Sequence, residues 1–548
     1  MSAYDDRIWL EHYPIDVPVD AHVEFDTALA VFRATLARAP ETPAIHYFDA
    51  TVTYRELDEM SDALAVALGE RGVGKADRVA LVLQNVPQFH IAVLAAWKLG
   101  AVVVPLNPMY RDRELRAVLS DSGAAAVICL ESVHDEVAPA ASGTGVAHVI
   151  TTSERAFRTR DEPRIFGDDD RPADAGDDLL DLIDRYGGRT PADVPLAAED
   201  LAYLPYTSGT TGPPKGSMNT HANVVFTAQI YRDWTRLDPE SVVYAVAPLF
   251  HITGLIANIA APLLAGAATI LTCRFHPVVA AEVIAERRAT ATIGAITVFI
   301  AWTNSAEVTA EHLSSLQSVY SGGAPVPHAA LAAFRDKFGH YIHNGYGLTE
   351  TTSPAVVVPH GVRAPVDPAS GAVSVGVPVS GTVASVVDET GVPVPVGEIG
   401  EIVVSGPQVS AGYWHRPDET ERAMPSGRFH TGDVGFMDSG GWFYIVDRKK
   451  DQINASGFKV WPREVEDVLY EHPAVREAAV VGVVDAYRGE TVKAVVSLRP
   501  GLSTDAVALQ EFCRARLAAY KCPRVVEVRD DLPKTVSGKI LRRALREV

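Results

Sequence analysis

Stretches with apolar residues at every third or fourth position alternate along this chain with short runs that are apolar almost throughout. Residues 54–71 carry the first pattern, with Thr53 ahead of them as a side-chain cap, and predict an amphipathic helix. Residues 78–83 form a short apolar run that predicts a buried strand, and a helix over 87–99 and a strand over 101–105 repeat the rhythm. Strand–helix–strand repetition implies parallel sheets wrapped by helices. One run breaks the scale of the others: residues 241–273 hold no Asp, Glu, Lys or Arg. Pro248, His251, Gly254, Asn258, Pro262 and Gly266 interrupt it, so it fits a buried helix ending near Gly266 and a strand over 268–271 better than a membrane span.

The pattern changes twice more. An acidic stretch with Pro and Gly around 168–178 predicts a solvated loop between two halves. From 366 to 413, short β-rich runs broken by Gly and Pro predict a small barrel or sandwich. The C-terminal part predicts a small α+β unit: helix 462–471, strands 478–484 and 491–498, helix 505–518. No internal repeat is visible.

Length and charge narrow the class. A chain of 548 residues is too long for one compact core, so at least two domains are expected. Forty-nine basic against sixty-nine acidic residues, net −20, argue against a nucleic-acid surface. The four cysteines, Cys129, Cys273, Cys513 and Cys522, are scattered, with no CxxC pair, so neither a disulfide framework nor a zinc site is implied. With an acidic N-terminal stretch that does not read as a signal peptide, the expected location is cytoplasmic.

Candidate chemistry begins at Thr207-Ser208-Gly209-Thr210-Thr211-Gly212-Pro213-Pro214-Lys215. Glycines let backbone N–H groups curl round an anion, hydroxyls add donors, and the lysine adds positive charge. A Walker loop needs Gly-Lys-Ser/Thr at its end; here Pro214 precedes Lys215 and Gly216 follows it, so that assignment fails. By itself the loop fits a triphosphate clamp and a plain surface turn equally well.

The loop resembles the signature of the adenylate-forming superfamily of acyl- and aryl-CoA synthetases, peptide-synthetase adenylation domains and firefly luciferase. Further segments similar to that family's motifs follow in order: 98–108 (KLGAVVVPLNP), 321–325 (SGGAP), 344–351 (NGYGLTET), 397–401 (GEIGE), 427–433 (GRFHTGD), 447–464 (DRKKDQINASGFKVWPRE) and 532–542 (LPKTVSGKILR). The resemblance, closest to fatty-acid–CoA ligases, implies an α/β fold: a large N-terminal domain (1–447) of two doubly wound sheets plus a small β-barrel, and a small mobile α+β domain (448–548). It implies an acid–CoA ligase that makes an acyl-AMP and then a thioester, using ATP, Mg2+ and coenzyme A.

Residue by residue, the resemblance places Thr207, Ser208, Gly209, Thr210, Thr211, Gly212 and Lys215 on the phosphates. Gly322, Gly323 and Ala324 wall the base, on which Tyr346 stacks, and Pro325, Asn344, Gly345 and Gly347 are further nucleotide-binding residues. Thr349 lies near the α-phosphate and Glu350 holds the metal, consistent with magnesium's preference for one or two carboxylates beside phosphate oxygens. Asp433 and Arg448 grip the ribose; a carboxylate's two acceptor oxygens match two neighbouring hydroxyls. Lys539 bridges carboxylate and α-phosphate, a role that composition alone does not assign, since the tail from Leu532 holds five basic residues. For the second half-reaction the small domain turns about Lys450, and Ser456, Gly457, Phe458 and Lys459 line the pantetheine tunnel.

The acid pocket is expected among His251, Ile252, Ile256, Val298, Phe299, Gly323 and Thr352, with His251 as its gate. Amino-acid-activating members carry Asp where His251 stands, which argues against an α-amino acid. Apolar and small walls favour a medium- or long-chain fatty acid, with an aryl or arylpropenoic acid as the alternative, and a carrier-protein thiol as the alternative acceptor. Asn454 departs from the Lys of luciferase-like members, so contacts made there do not carry over. His340 and His343, three residues apart, fit structural packing better than a metal pair. Partners are small molecules, with neither nucleic acid nor a transmembrane segment; a homodimer is left open.

Overall fold

The computed structural model describes residues 3–20, 22–167, 177–207, 214–324, 326–368, 371–448, 451–455, 458–485, 489–535 and 539–546; for Asp447, Arg448, Asn454, Ala455, Phe458, Lys459 and Gly489 it describes the backbone alone. Two predominantly parallel sheets dominate. The first runs, in spatial order, Val377–Pro378, Ser353–Val357, His343–Leu348, Ser318–Gly322, Ala291–Gly294, Val242–Tyr244, Ala268–Leu271, Pro43–Tyr47 and Ala50–Thr53. All pairings from His343–Leu348 across to Pro43–Tyr47 are parallel; the edge strands are antiparallel. The second sheet has seven strands, in the order Asn219–Thr220, Leu201–Tyr203, Val102–Pro105, Arg78–Val82, Ala126–Leu130, His148–Thr152 and Asp177–Asp178.

Local chemistry sets the helices. Thr53 Oγ1 accepts from the Glu56 N–H at 3.2 Å while the Glu56 carboxylate accepts from the Thr53 N–H at 2.7 Å. That reciprocal cap starts helix Tyr54–Glu70 where the sequence places it. Helix Pro87–Lys98 is buried along its whole length. Its one cation, Lys98, is 4% exposed and lies 2.6 Å from both Asp58 and Asp62, which compensates a charge otherwise costly to bury. The uncharged run divides as predicted into short pieces: strand Val242–Tyr244, a helical stretch ending at Ala261–Ala265 with Gly266 at φ 78°, and strand Ala268–Leu271. No described helix is long and apolar enough to cross a membrane.

The small β unit is a four-stranded antiparallel sheet of Val383–Val387, Gly400–Ser405, Phe429–Met437 and Phe443–Arg448. Two of its strands lie beyond the expected limit at residue 413, because they pair across the intervening helix Pro417–Ala423. Val377–Pro378, inside the expected range, joins the first sheet as an edge strand instead. The C-terminal unit has its own core, including Ile453, Val465, Leu469, Val480 and Val496. Its central hairpin pairs Val475–Asp485 with Gly489–Leu498, and Val525–Arg529 adds a parallel strand. Arg463 ties this unit to the last strand of the small β sheet, donating to the Ile445 carbonyl at 2.6 Å.

Candidate active site

The motifs meet at the C-terminal ends of the first sheet's parallel strands, where α/β sheets place their ligands. Gly322 and Gly345 are register partners on adjacent strands. Gly347 has no room for a side chain: a Cβ there would fall 1.8 Å from the Ser353 carbonyl oxygen. The result is a bare backbone wall with Tyr346 standing beside it. Tyr346 Oη donates to Asp433 Oδ2 at 2.7 Å, and Asp433 is 4% exposed. Cross-strand register puts Arg448 opposite Asp433. Aromatic ring, carboxylate and arginine backbone therefore converge from three strands at the place the ribose is expected to occupy. Asn344, assigned to the nucleotide site, is buried with its amide donating to the Ser374 carbonyl at 3.3 Å, which makes it a brace behind the wall.

Thr207 and Lys215 form the stem of the glycine-rich loop as paired residues of a two-strand hairpin. Ser208, Gly209, Thr210, Thr211 and Gly212 lie outside the described residues, as do Pro325, Lys450, Ser456 and Gly457. Lys215 pairs with Glu419 and lies 5.1 Å from the Tyr413 ring centre. Tyr413 Oη in turn donates to Glu350 Oε1 at 2.7 Å. Burial and this carboxylate hold the Tyr413 phenol well above its ordinary range, so it remains a donor. Asn219 links the other side, donating to the Thr349 carbonyl at 3.1 Å and to Thr352 Oγ1 at 2.7 Å. Tyr413, Glu419 and Asn219 had no individual signal in the sequence; their roles arise from residues 63 to 204 positions away.

Lys539 reaches this site from the C-terminal unit. A Cβ built on Gly323, at φ 79°, would sit 3.1 Å from Lys539 Cε and 3.6 Å from Nζ. The loop that carries it is closed by Thr535 N–H to the Lys539 carbonyl at 2.6 Å and by Lys539 N–H to Thr535 Oγ1 at 3.0 Å. A cavity of about 640 Å³ lies between the two units and includes His251, Val298, Gly323 and Lys539 in its walls. His251 caps the short helix Ile252–Leu255 through Nδ1, 3.4 Å from the Thr253 N–H. Burial, helped by the Lys539 charge, pulls its pKa down to about 3, so the imidazole is neutral near pH 7.

The other residues expected in the acid pocket do not line this cavity. Ile252, Ile256 and Phe299 are core side chains, 2%, 0% and 1% exposed. Thr352 is fully buried at φ 50°, and its hydroxyl donates to the Gln408 carbonyl at 2.8 Å. Ala324 packs against the main core. His340 and His343 bond the Leu313 and Val319 carbonyls at 2.9 and 3.2 Å, as structural packing requires.

The AMP-binding enzyme family matches residues 32–414, and the family's C-terminal domain matches residues 464–539. This chain belongs to the AMP-binding enzyme family. Similarity to its relatives runs end to end. A long-chain-fatty-acid–CoA ligase of Escherichia coli O6:H1 is 37% identical over 574 aligned positions, covering 99% of this chain and 98% of the relative. A feruloyl-CoA synthase of an Amycolatopsis species is 37% identical over 511 positions, covering 93% of this chain and 96% of the relative. The crystal structure of ATP-bound MatB from Rhodopseudomonas palustris superposes with a TM-score of 0.83 at 30% identity, covering 95% of this chain and 98% of that one. The expected fold of two α/β sheets, a small β unit and an α+β C-terminal domain is that of these adenylate-forming enzymes. The expected enzyme class, an AMP-forming acid–CoA ligase, is the class to which its named relatives belong.

The donor set of this AMP-binding enzyme bears on the metal. Among the described residues no group of three or more His, Cys, Asp or Glu side chains could hold an ion alone. Glu350 is one carboxylate, 8% exposed, whose Oε1 is committed to Tyr413. A single oriented carboxylate fits magnesium, which takes most of its ligands from phosphate and water, better than a transition metal needing a protein cage.

Five histidines are expected to make the enzyme acid-sensitive. Burial lowers His90, His221 and His343 to about 4, burial with Arg287 lowers His46 to about 4, and burial with Lys539 lowers His251 to about 3, from an ordinary 6.5. Between those values the unfolded chain binds protons that the folded chain does not, so stability is lost as pH falls through the window. Each histidine contributes at most ~1.4 kcal/mol per pH unit. Thermal melts are expected to shift steadily downward from pH 7 to pH 4.5; a flat midpoint from 7 to 5 would contradict the neutral burial of these rings.

Proposed function

We propose that this AMP-binding enzyme activates a medium- or long-chain fatty acid with ATP and transfers the acyl group to coenzyme A. The observation that carries the reading is Lys539, delivered by the C-terminal unit to the glycine wall beside Tyr346 and Asp433. In the first step a carboxylate oxygen attacks the α-phosphorus and pyrophosphate leaves. Lys539 neutralises the two negative groups as they approach, while Asp433 and Arg448 hold the ribose and the glycine wall with Tyr346 orients the base. Glu350, oriented by Tyr413, would hold a magnesium ion, whose chemistry when bound is to neutralise the phosphates. Thr207, Lys215 and the loop between them would wrap the leaving phosphates. In the second step a thiolate attacks the acyl carbon and AMP leaves. We assign this step to rotation of residues 448–548 about Lys450, which would remove Lys539 and bring the 456–459 segment to the tunnel.

The fatty-acid reading rests on whole-length similarity to long-chain-fatty-acid–CoA ligases. The feruloyl-CoA synthase relative favours an arylpropenoic acid as the second reading. Pyrophosphate release measured with acids from acetate to hexadecanoate, benzoate and hydroxycinnamates, each with and without CoA, separates them. The reading predicts CoA-dependent turnover that is highest with fatty acids of eight or more carbons. Highest turnover with hydroxycinnamates would select the second reading, and acyl-adenylate that accumulates and ignores CoA would move the acceptor to a carrier protein.

A further inference from the structure

Beyond the glycine wall lies a second cavity of only about 30 Å³, separate from the one beneath Lys539 but sharing Thr253, Gly322 and Gly323 with it. It is a small side-slot beside the cavity of about 640 Å³. Because the two cavities share Thr253, Gly322 and Gly323, an acid whose carboxylate lies by Lys539 has this slot next to it. Helix His221–Thr235 closes the far side with Tyr231 and Trp234. The slot is thus bounded by two aromatic side chains of one helix.

The two aromatic walls are held differently. The Trp234 ring is held from two sides, by its indole N–H to Ser380 Oγ at 3.3 Å and by an edge-on contact with Tyr13 at 5.0 Å between ring centres. Among the described residues the Tyr231 side chain has one polar tether, a buried 2.7 Å hydrogen bond between its hydroxyl and Ser353 Oγ. Ser353 is itself fixed: it sits at φ 92° after Thr352 at φ 50°, and its carbonyl occupies the space that Gly347 leaves open. One side of the pair is rigid backbone, and the other is a ring that turns about two side-chain bonds. A chain that extends beyond the slot must push that ring aside and break its one bond to Ser353.

We infer that Tyr231, latched to Ser353, is the specificity-determining gate that sets how long an acid this enzyme accepts. The inference rests on the acid-activating reading of the site. It assigns chain-length selection to helix His221–Thr235 and strand Ser353–Val357, and not to the segments around His251 and Phe299 where the sequence suggested a pocket. Losing the latch while keeping the ring lowers the cost of opening; losing the ring removes the gate.

The test compares Tyr231→Phe, Tyr231→Ala and Ser353→Ala with the parent enzyme. Two readouts are taken: kcat/KM for pyrophosphate release with octanoate and hexadecanoate, and binding of octanoyl- and hexadecanoyl-sulfamoyladenosine, stable mimics of acyl-adenylates. The hexadecanoyl-to-octanoyl ratio is expected to rise about 10-fold or more in Tyr231→Ala and roughly 2- to 5-fold in both latch variants, on the scale at which pockets discriminate methylenes. Because each variant is scored by a ratio between two acids, loss of folded protein cancels, and Tyr231→Phe retains the packing that Tyr231→Ala gives up. Ratios within twofold of the parent in all three variants overturn the gate. A parent that releases no pyrophosphate with any acid but binds the two mimics breaks the ligase reading alone, and the binding ratios still decide the gate. A parent that binds neither mimic overturns both.

Discussion

Replacing Lys539 with alanine is expected to lower acyl-adenylate formation by roughly two to three orders of magnitude, the range seen when a preorganised charge-stabilising group is removed from a site. The expectation follows from place and charge together. The ammonium lies against Gly323 in a cavity between two units, and its field contributes to keeping His251 neutral. Two anions, the carboxylate and the α-phosphate, must come into contact at that point. Without a cation there, their repulsion in a partly desolvated space goes uncompensated. The loss should be confined to the first half-reaction. ATP–pyrophosphate exchange should collapse, while supplied acyl-adenylate plus CoA should still yield thioester in a single turnover, because in the proposed sequence of steps the lysine has left before the thiol attacks. Normal exchange in Lys539→Ala would sink the assigned role.

Replacing Asp433 with alanine is expected to raise the KM for ATP by about 100-fold, two charge-assisted hydrogen bonds at ~1.5–3 kcal/mol each less whatever water recovers. Asp433 is nearly buried, so its carboxylate is already desolvated and aimed before the nucleotide arrives. Tyr346 holds one oxygen at 2.7 Å, and the strand pairing with Arg448 fixes the backbone from the other side. Asparagine keeps one acceptor of the pair, so Asp433→Asn should lose roughly 10-fold, between the parent and alanine. ATP titration by calorimetry alongside the exchange assay separates binding from chemistry. An ATP affinity within threefold of the parent in Asp433→Ala would remove the ribose assignment.

Much of the scaffold was legible because its signals are local. Thr53 and Glu56 announce a helix start three residues apart, and the breaks at Pro262 and Gly266 show that the long uncharged run is a set of short buried elements. The same holds for residues whose chemistry comes with their neighbours in sequence: Gly322-Gly323, the Tyr346 segment, Glu350, Asp433 and Lys539 each sit in a contiguous motif. Local pattern failed where pairing is not local. The small β sheet draws two strands from beyond residue 413, and Val377–Pro378 leaves it for another sheet.

By itself, then, the sequence determined the class of fold, the adenylate-forming motifs and the residue that had to come from the C-terminal unit. Only the tertiary structure decided which side chains face the ligand space. Ile252, Ile256 and Phe299 look like pocket walls by position and are core. Tyr231 looks like one more apolar face of a buried helix, and it closes the slot by bonding Ser353, 122 residues away. Tyr413 and Glu419 likewise gain meaning only where they meet Glu350 and Lys215. The physical reason is the same in each case. An apolar or aromatic side chain gains comparable burial against a core or against an acyl chain, so its identity carries no record of which one it faces. That direction is set by how sheets and helices distant in sequence cross, and it enters only when the chain is folded.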